Sequence, residues 1–205
     1  MSMHVILDGI IVARFSSCLA VFYARGKLLA LMNLAFFGCV FVTVVVSEFL
    51  IPPQPYLGSY PSFPEISFNF DFPLMVFSIF LFNLFVSAFA VVTLPGFVFF
   101  PLSTVFLLFR AVVWGLLLHY QPTWVFLIVV PTLVLEGEAY CFAAVAGTVA
   151  GASWIKPEWL FCDGKFSRVE AFKRALRECL VIYVFVALFL LFAAVLEAAT
   201  LTIMV

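Results

Sequence analysis

The amino-acid sequence predicts an all-α fold: a polytopic transmembrane helical bundle of about five spans, forming a single integral membrane domain over residues 1–205. Three observations predict it. Of 205 residues, 66% are hydrophobic and only 10% charged, whereas a soluble domain carries about 25% charged residues. Five stretches, 28–51, 74–94, 97–119, 123–151 and 180–204, reach the roughly 20 apolar residues that a helical crossing needs. The lysines and arginines fall outside those stretches, with Arg110 the one exception. A mean hydropathy of +1.26 agrees.

Residues 3–25 precede the first span. No basic residue leads their apolar part, and Asp8 and Arg14 interrupt it, so they do not read as a cleavable signal. They are expected to form an amphipathic helix in the interface, with Leu7, Ile11, Cys18, Leu19 and Phe22 inward. A sixth span is the second reading. The loop 52–73 holds six of the eleven prolines, which argues against regular helix. Phe68, Phe70 and Phe72 alternate, placing three rings on one side of an extended strand. They suit an interfacial aromatic belt or a flap for a partner.

The tight Leu94–Gly96 break is expected to separate the second and third spans. The fourth stretch has 29 residues, with Pro131 eight residues into it. Proline removes a backbone donor and clashes with the preceding turn. This stretch is therefore expected to be broken near Pro131, as a kinked helix or two half-helices. Residues 152–179 form a basic segment. Within it, Ser167 and Glu170 have the spacing of a capping box. They should start a helix with Val169, Phe172, Leu176 and Cys179 on its apolar side, running straight into the fifth span.

Orientation follows from the basic residues. Arg14, Arg25 and Lys27 precede the first span, and Lys156, Lys165, Arg168, Lys173, Arg174 and Arg177 lie between the fourth and fifth. Five spans place both groups on one side. The N-terminus and residues 152–179 are then cytoplasmic, and the loop 52–73 is extracytoplasmic.

Ionisable groups inside a membrane are costly and mark candidate functional positions. Arg110 lies near the bilayer centre, where insertion costs about 2.5–3.5 kcal/mol, so it needs a partner. The third and fourth spans should be antiparallel neighbours, which brings Arg110 and Glu136 to similar depth and predicts that they pair. Asn83 joins them as an intramembrane polar residue. Helix phase puts Glu136 on one face with Ala139, Ala143, Gly147 and Gly151, a small-residue stripe that lets helices approach closely. Glu138 points roughly 200° away, among Phe142, Val145 and Val149. There it must be neutral, reach toward water, or be covered by a second interface with another protein. Glu48, His119 and Glu197 fall near the outer ends of spans and read as interfacial.

Cys18, Cys39, Cys141, Cys162 and Cys179 lack metal-ligand spacing and are expected to be free thiols, with no disulfide or metal. No HExxH, Walker A or GxSxG motif occurs, so no enzyme activity and no cofactor are expected. The expected partners are the lipid bilayer and other membrane proteins or further copies of the chain, with no nucleic acid.

The stretch "PTLVLEGEA" resembles the Pro-His-Gly-x-x-Glu-x-x-Ala signature of the stage II sporulation protein M family. Pro131, Glu136 and Ala139 match, while Thr132 and Leu133 replace the His and Gly. "FLFNLFVSAFAV" is similar to the family's Asn-bearing second span, with Asn83 matching. In "FRAVVWG", Gly115 matches an Asn-Gly-x-x-x-Gly motif, and Arg110 and Ala111 replace its Asn and first Gly. "FAAVLEAAT" is similar to the family's C-terminal motif, with Glu197 matching. The resemblance covers roughly residues 25–200. It implies a polytopic protein of a prokaryotic cytoplasmic membrane, from a family whose founding members work in a membrane complex with cell-wall-remodelling partners. The expected function is a non-enzymatic integral membrane subunit that scaffolds or assembles a complex. The alternative is a transporter or permease component using Arg110 and Glu136 near a broken helix.

Overall fold

The computed structural model describes residues 3–51, 71–119, 123–161 and 167–204, with the side chains of 3–19, 22, 123–127 and 203–204 left aside. The described chain is all-helical. Five helices are long and apolar enough to cross a membrane, and the protein is a membrane protein. We label them α1 (Met3–Leu50), α2 (Phe72–Val98), α3 (Pro101–His119), α4 (Thr123–Ile155) and α5 (Arg168–Met204).

Helix α1 has 48 residues and no break. At about 1.5 Å per residue it is roughly 72 Å long, far more than a hydrocarbon core of about 30 Å. Its apolar part, Tyr23–Leu50, is the portion long enough to cross. The separate N-terminal helix expected before residue 28 is therefore corrected to a continuation of the first span. No proline interrupts the junction, and Gly26 meets no steric demand there. The inward set Leu7, Ile11, Cys18, Leu19 and Phe22 lies outside the described side chains, and the alternation at Phe68 and Phe70 lies outside the described residues.

Helix α2 changes geometry along its length. Phe72–Leu81 is α-helical, Phe82–Thr93 is a π-helix, and Leu94–Val98 is α-helical again. At the end of the π-segment, the Leu94 N–H bonds the Phe89 carbonyl, five residues back. The buried residues are Asn83, Ser87, Ala88, Val92 and Thr93, so the inward positions recur every four or five residues. An α-helix would turn one of these pairs away from the bundle. The π-helix keeps all five on one face.

The turn between α2 and α3 lies at Phe99–Phe100, not at Leu94–Gly96, which correction has a simple cause. Pro95 does not end the helix: Thr93 and Leu94 before it are helical, and the helix continues to Val98. Phe99 is extended, at φ −148° and ψ 111°. Phe100 precedes Pro101, and a residue before proline disfavours helix. Pro101 then opens α3, a position proline suits.

Helix α4 runs unbroken through Pro131. The expected break is absent. Pro131 is exposed and near one end of a 33-residue helix, so one lost donor leaves the ladder on either side intact. This helix is the axis of the bundle: 61% of its apolar window is buried, against 17–33% in the other four helices. It packs against all of them, most extensively against α5. Small residues permit that. A Cβ on Gly147 would meet the Thr93 carbonyl oxygen at 2.7 Å as well as Ser103 Oγ, and a Cβ on Gly151 would meet the Gly96 carbonyl oxygen. The stripe Ala139, Ala143, Gly147, Gly151 therefore lets α4 approach the backbone of α2, as such stripes do in membranes.

Helix α5 starts as expected. Ser167 N and Oγ donate to Glu170 Oε2 at 3.0 and 2.8 Å, and Glu170 N donates to Ser167 Oγ at 3.3 Å. The helix continues without interruption to Met204. Its inward face differs from the expected one. Ala171, Ala175 and Cys179 are buried, continuing into Ile182, Val186 and Leu190, whereas Val169 is 52% exposed. Alanine is small enough to sit against α4 where valine is not needed.

Candidate functional site

Four helices bring polar side chains to one place. The π-segment of α2 turns Asn83 inward, α3 contributes Arg110, and α4 contributes Glu136 with Tyr140 one turn later. Glu136 is 3% exposed and Tyr140 is fully buried. Asn83 Nδ2 donates to Glu136 Oε1 at 2.9 Å. Asn83 Oδ1 accepts from Ser87 Oγ at 3.3 Å and lies 3.2 Å from the Tyr140 hydroxyl. That hydroxyl accepts from Arg110 Nη2 at 2.7 Å. Its single proton points either to Asn83 Oδ1 or to Glu136 Oε2, which is 3.4 Å away.

The direct Arg110–Glu136 pair is thereby corrected. Arg110, Glu136 and Asn83 do meet, but no Arg110 nitrogen lies within 4.0 Å of a Glu136 oxygen. Tyr140 stands between them. The Arg110 guanidinium carbon lies 4.0 Å from the Tyr140 ring centroid, a cation–π distance. The tyrosine thus offers the guanidinium both its face and its oxygen. Its spacing of four from Glu136 places it on the same helix face, the signal that could have revealed it.

Glu197 is the second correction. It was expected at the interface, yet it lines the same cavity as the buried Glu136. Counting residues from a helix end measures depth, not which neighbour covers a side chain. Glu136 and Glu197 line a cavity of about 720 Å³ together with Asn83, Arg110, Thr132 and Thr200. Its remaining wall is largely apolar and includes Ile79, Phe82, Phe109, Val113, Trp114 and Leu117. Phe82, Phe109, Val113, Leu117 and Leu201 are also exposed on the bundle's outer surface, so the rim of the cavity is lateral.

Glu138 does not line this cavity. It is partly buried beside Asn33 of α1. Part of that face is covered by the chain itself: Phe142 stacks on Phe185 and Phe189 of α5, with centroids 6.1 and 5.7 Å apart. Val134, one turn away on the same face, is 42% exposed, so the chain itself covers only part of the face on which a second interface at Glu138 was expected.

Other polar contacts fix the frame. Tyr183 of α5 donates to Thr93 Oγ1 at 2.6 Å, and Thr93 donates to the Ala143 carbonyl at 2.9 Å. Arg25 and Glu178, neither singled out as a pair in the sequence, meet at 3.0 Å with 12% and 14% side-chain exposure. His119 and Glu48 are 3.1 Å apart at the opposite end of the bundle. Gly115 lies against α1, where a Cβ would meet Thr43 Cβ at 2.6 Å. Cys39, Cys141 and Cys179 are free thiols. Among the described residues, no three His, Cys, Asp or Glu side chains are grouped to hold a metal ion.

An all-helical membrane protein with a polar cluster buried among its helices is the class that this fold and site define. The chain belongs to the stage II sporulation protein M family, whose pattern it matches over residues 28–200. No curated protein and no solved structure matches it. The resemblance rested on separate short segments, and three of the residues carrying it, Asn83, Glu136 and Glu197, converge in the one cavity. Thr132, at the signature's histidine position, lines the same space.

Proposed function

We propose that this protein is a non-enzymatic membrane subunit that takes a ligand into the intramembrane cavity, as a permease component. One observation carries the reading: residues from four helices converge on a space of about 720 Å³ that combines an ionic floor with an apolar wall. Sites for small ligands have this composition, a mainly apolar lining with a few placed polar groups. Ionisable side chains in a membrane most often mark such pathways. The proposed setting is the cytoplasmic membrane with the N-terminus inside. The Arg25–Glu178 contact supports it by bringing the two basic segments to one end of the bundle, as the charge bias requires.

Reconstitution into liposomes tests the reading. Entry or exchange of amphiphilic solutes should depend on the protein and fall in Glu136→Gln. A folded protein that neither binds nor moves any member of a cationic, anionic and neutral panel would overturn it.

Assembly with other membrane proteins, or with copies of itself, is the second reading. The observation favouring it is the lateral rim at Phe82, Phe109 and Val113, which a partner helix would also cover. A photo-crosslinker at position 109 would then capture another polypeptide in native membranes. Lipid adducts alone would count against this second reading.

A further inference from the structure

We infer that the cavity is a site for an oxyanion, a carboxylate or a phosphate, carried on an apolar body, and that Arg110 receives its charge. The inference rests on the ligand-binding reading above and gives that ligand its chemical class.

Arg110 has donors without acceptors. A guanidinium keeps its charge in a protein and presents several N–H groups and no acceptor of its own. Among the described residues, its one hydrogen bond runs from Nη2 to the Tyr140 hydroxyl at 2.7 Å. Its Nε is buried with no partner. No carboxylate oxygen of the described residues lies within 4.0 Å of its nitrogens. The Tyr140 ring lies 4.0 Å from the guanidinium carbon. That contact favours the positive charge, but the N–H groups point outward in the guanidinium plane and gain no acceptor from it. Glu136 is committed elsewhere: it is 3% exposed and accepts from Asn83 at 2.9 Å. Leaving a charged donor buried and unpartnered is costly. The unmet demand at the cavity is therefore for an acceptor. Arginine's fork meets carboxylate and phosphate with paired, charge-assisted bonds, stronger than those to neutral oxygens. With Nε enclosed, the terminal nitrogens make the first contact, and the fork engages as the guanidinium turns from the tyrosine. The lining agrees. Thr132 and Ser78 bring hydroxyls and Trp114 an indole N–H, all able to donate. Phe82 and Phe109 line the cavity and are exposed laterally, so an alkyl body lies along them and reaches the lipid. Glu197 also lines the space. It is an acceptor and adds nothing to the binding of an oxyanion, which fixes the sign of its effect below.

Trp114 lines the cavity and supplies the probe. Trp124, Trp154 and Trp159 are replaced by Phe, and the protein in maltoside micelles, which carry no phosphate, is titrated with brominated alkyl compounds of equal chain length. Their heads are a carboxylate, a phosphate, a hydroxyl or an ammonium. At least one oxyanion should quench saturably and bind about tenfold or more tightly than the alcohol and the ammonium compound, the scale of a hydrogen bond to a charged group. Arg110→Met should abolish that preference, and Arg110→Lys, which keeps the charge without the fork, should retain part of it. Glu197→Gln should not weaken it. An oxyanion preference that survives Arg110→Met, or that is lost in Glu197→Gln, overturns the assignment. Should Arg110→Met not fold, Arg110→Lys and the head-group series on the otherwise native chain decide.

A short water-soluble carboxylate, a short alkyl phosphate and a phospholipid added to the micelles separate the sources. Competition from any of them supports the oxyanion class and says which supplies it; competition from none overturns the inference. Equal binding of all four heads, or tightest binding of the ammonium compound, would overturn the oxyanion class while leaving the ligand cavity standing. No saturable quenching by any compound would remove both.

Discussion

Tyr140→Phe isolates the role assigned to the tyrosine hydroxyl. The substitution keeps the ring, so the Arg110 guanidinium can stay over its face at 4.0 Å. It removes the acceptor 2.7 Å from Arg110 Nη2 and the donor shared by Asn83 Oδ1 and Glu136 Oε2. Interhelical hydrogen bonds in membranes average about 0.6 kcal/mol, with a maximum near 1.7. Hydrogen bonds to charged groups reach about 1.5–3 kcal/mol. Here the hydroxyl is fully buried and serves a guanidinium, so the charged case dominates, and we expect a loss of about 2 kcal/mol. For a chain of this size, that corresponds to a fall in Tm of roughly 4–8 °C. Unfolding in mixed micelles, followed by circular dichroism, measures it. A double-mutant cycle with Arg110→Met should give a coupling of about 1 kcal/mol or more. If Tyr140→Phe is neutral within about 0.5 kcal/mol while Arg110 and Glu136 couple strongly to each other, the tyrosine does not mediate between them and the reasoning is wrong.

Four further outcomes follow from the structure. Gly147→Ala places a Cβ against the Thr93 backbone at 2.7–3.0 Å and should cost about 1–3 kcal/mol by forcing α2 and α4 apart. Gly38→Ala meets nothing within 4 Å and should be neutral or stabilising by up to about 1 kcal/mol; the same unfolding assay reads both. Ser167→Ala removes the capping box and should cost about 1 kcal/mol locally, seen as roughly fivefold faster hydrogen exchange at the first amides of α5. Arg25→Glu and Glu178→Arg should each destabilise by about 2 kcal/mol, and the double variant should recover much of that loss in thermal unfolding.

The five helices of membrane-crossing length were legible because the bilayer sets a length, and hydropathy over about 20 residues reads that length directly. The small stripe on α4 was legible for a related reason. Glycine and alanine on one face have little use in lipid but permit close approach of backbones. The surroundings of Glu138 were only partly legible, because Phe142, Val145 and Val149 are equally at home against lipid or against another helix. Apolar composition does not distinguish these surroundings in a membrane protein, and only the central position of α4 decides. Glu197 was misplaced because distance from a helix end fixes depth alone. The π-segment at Phe82–Thr93 had no local signature. Its inward residues, Asn83, Ser87, Ala88, Val92 and Thr93, follow a spacing that an α-helical reading splits across faces. The turn at Phe99–Phe100 could have been found, since Pro101 is a better helix opener than Gly96 is a terminator within "LPGFV".

The central claim is that the polar cluster encloses a space a ligand enters. Thr132→Cys, with the native cysteines replaced, tests it most directly, because Thr132 is 6% exposed yet lines the cavity. A small neutral thiol reagent applied to the protein in liposomes should modify this cysteine, and an excess of at least one amphiphile from a cationic, anionic and neutral panel should protect it. A thiol that stays unmodified, or that reacts at the same rate with and without every member of that panel, would contradict the account.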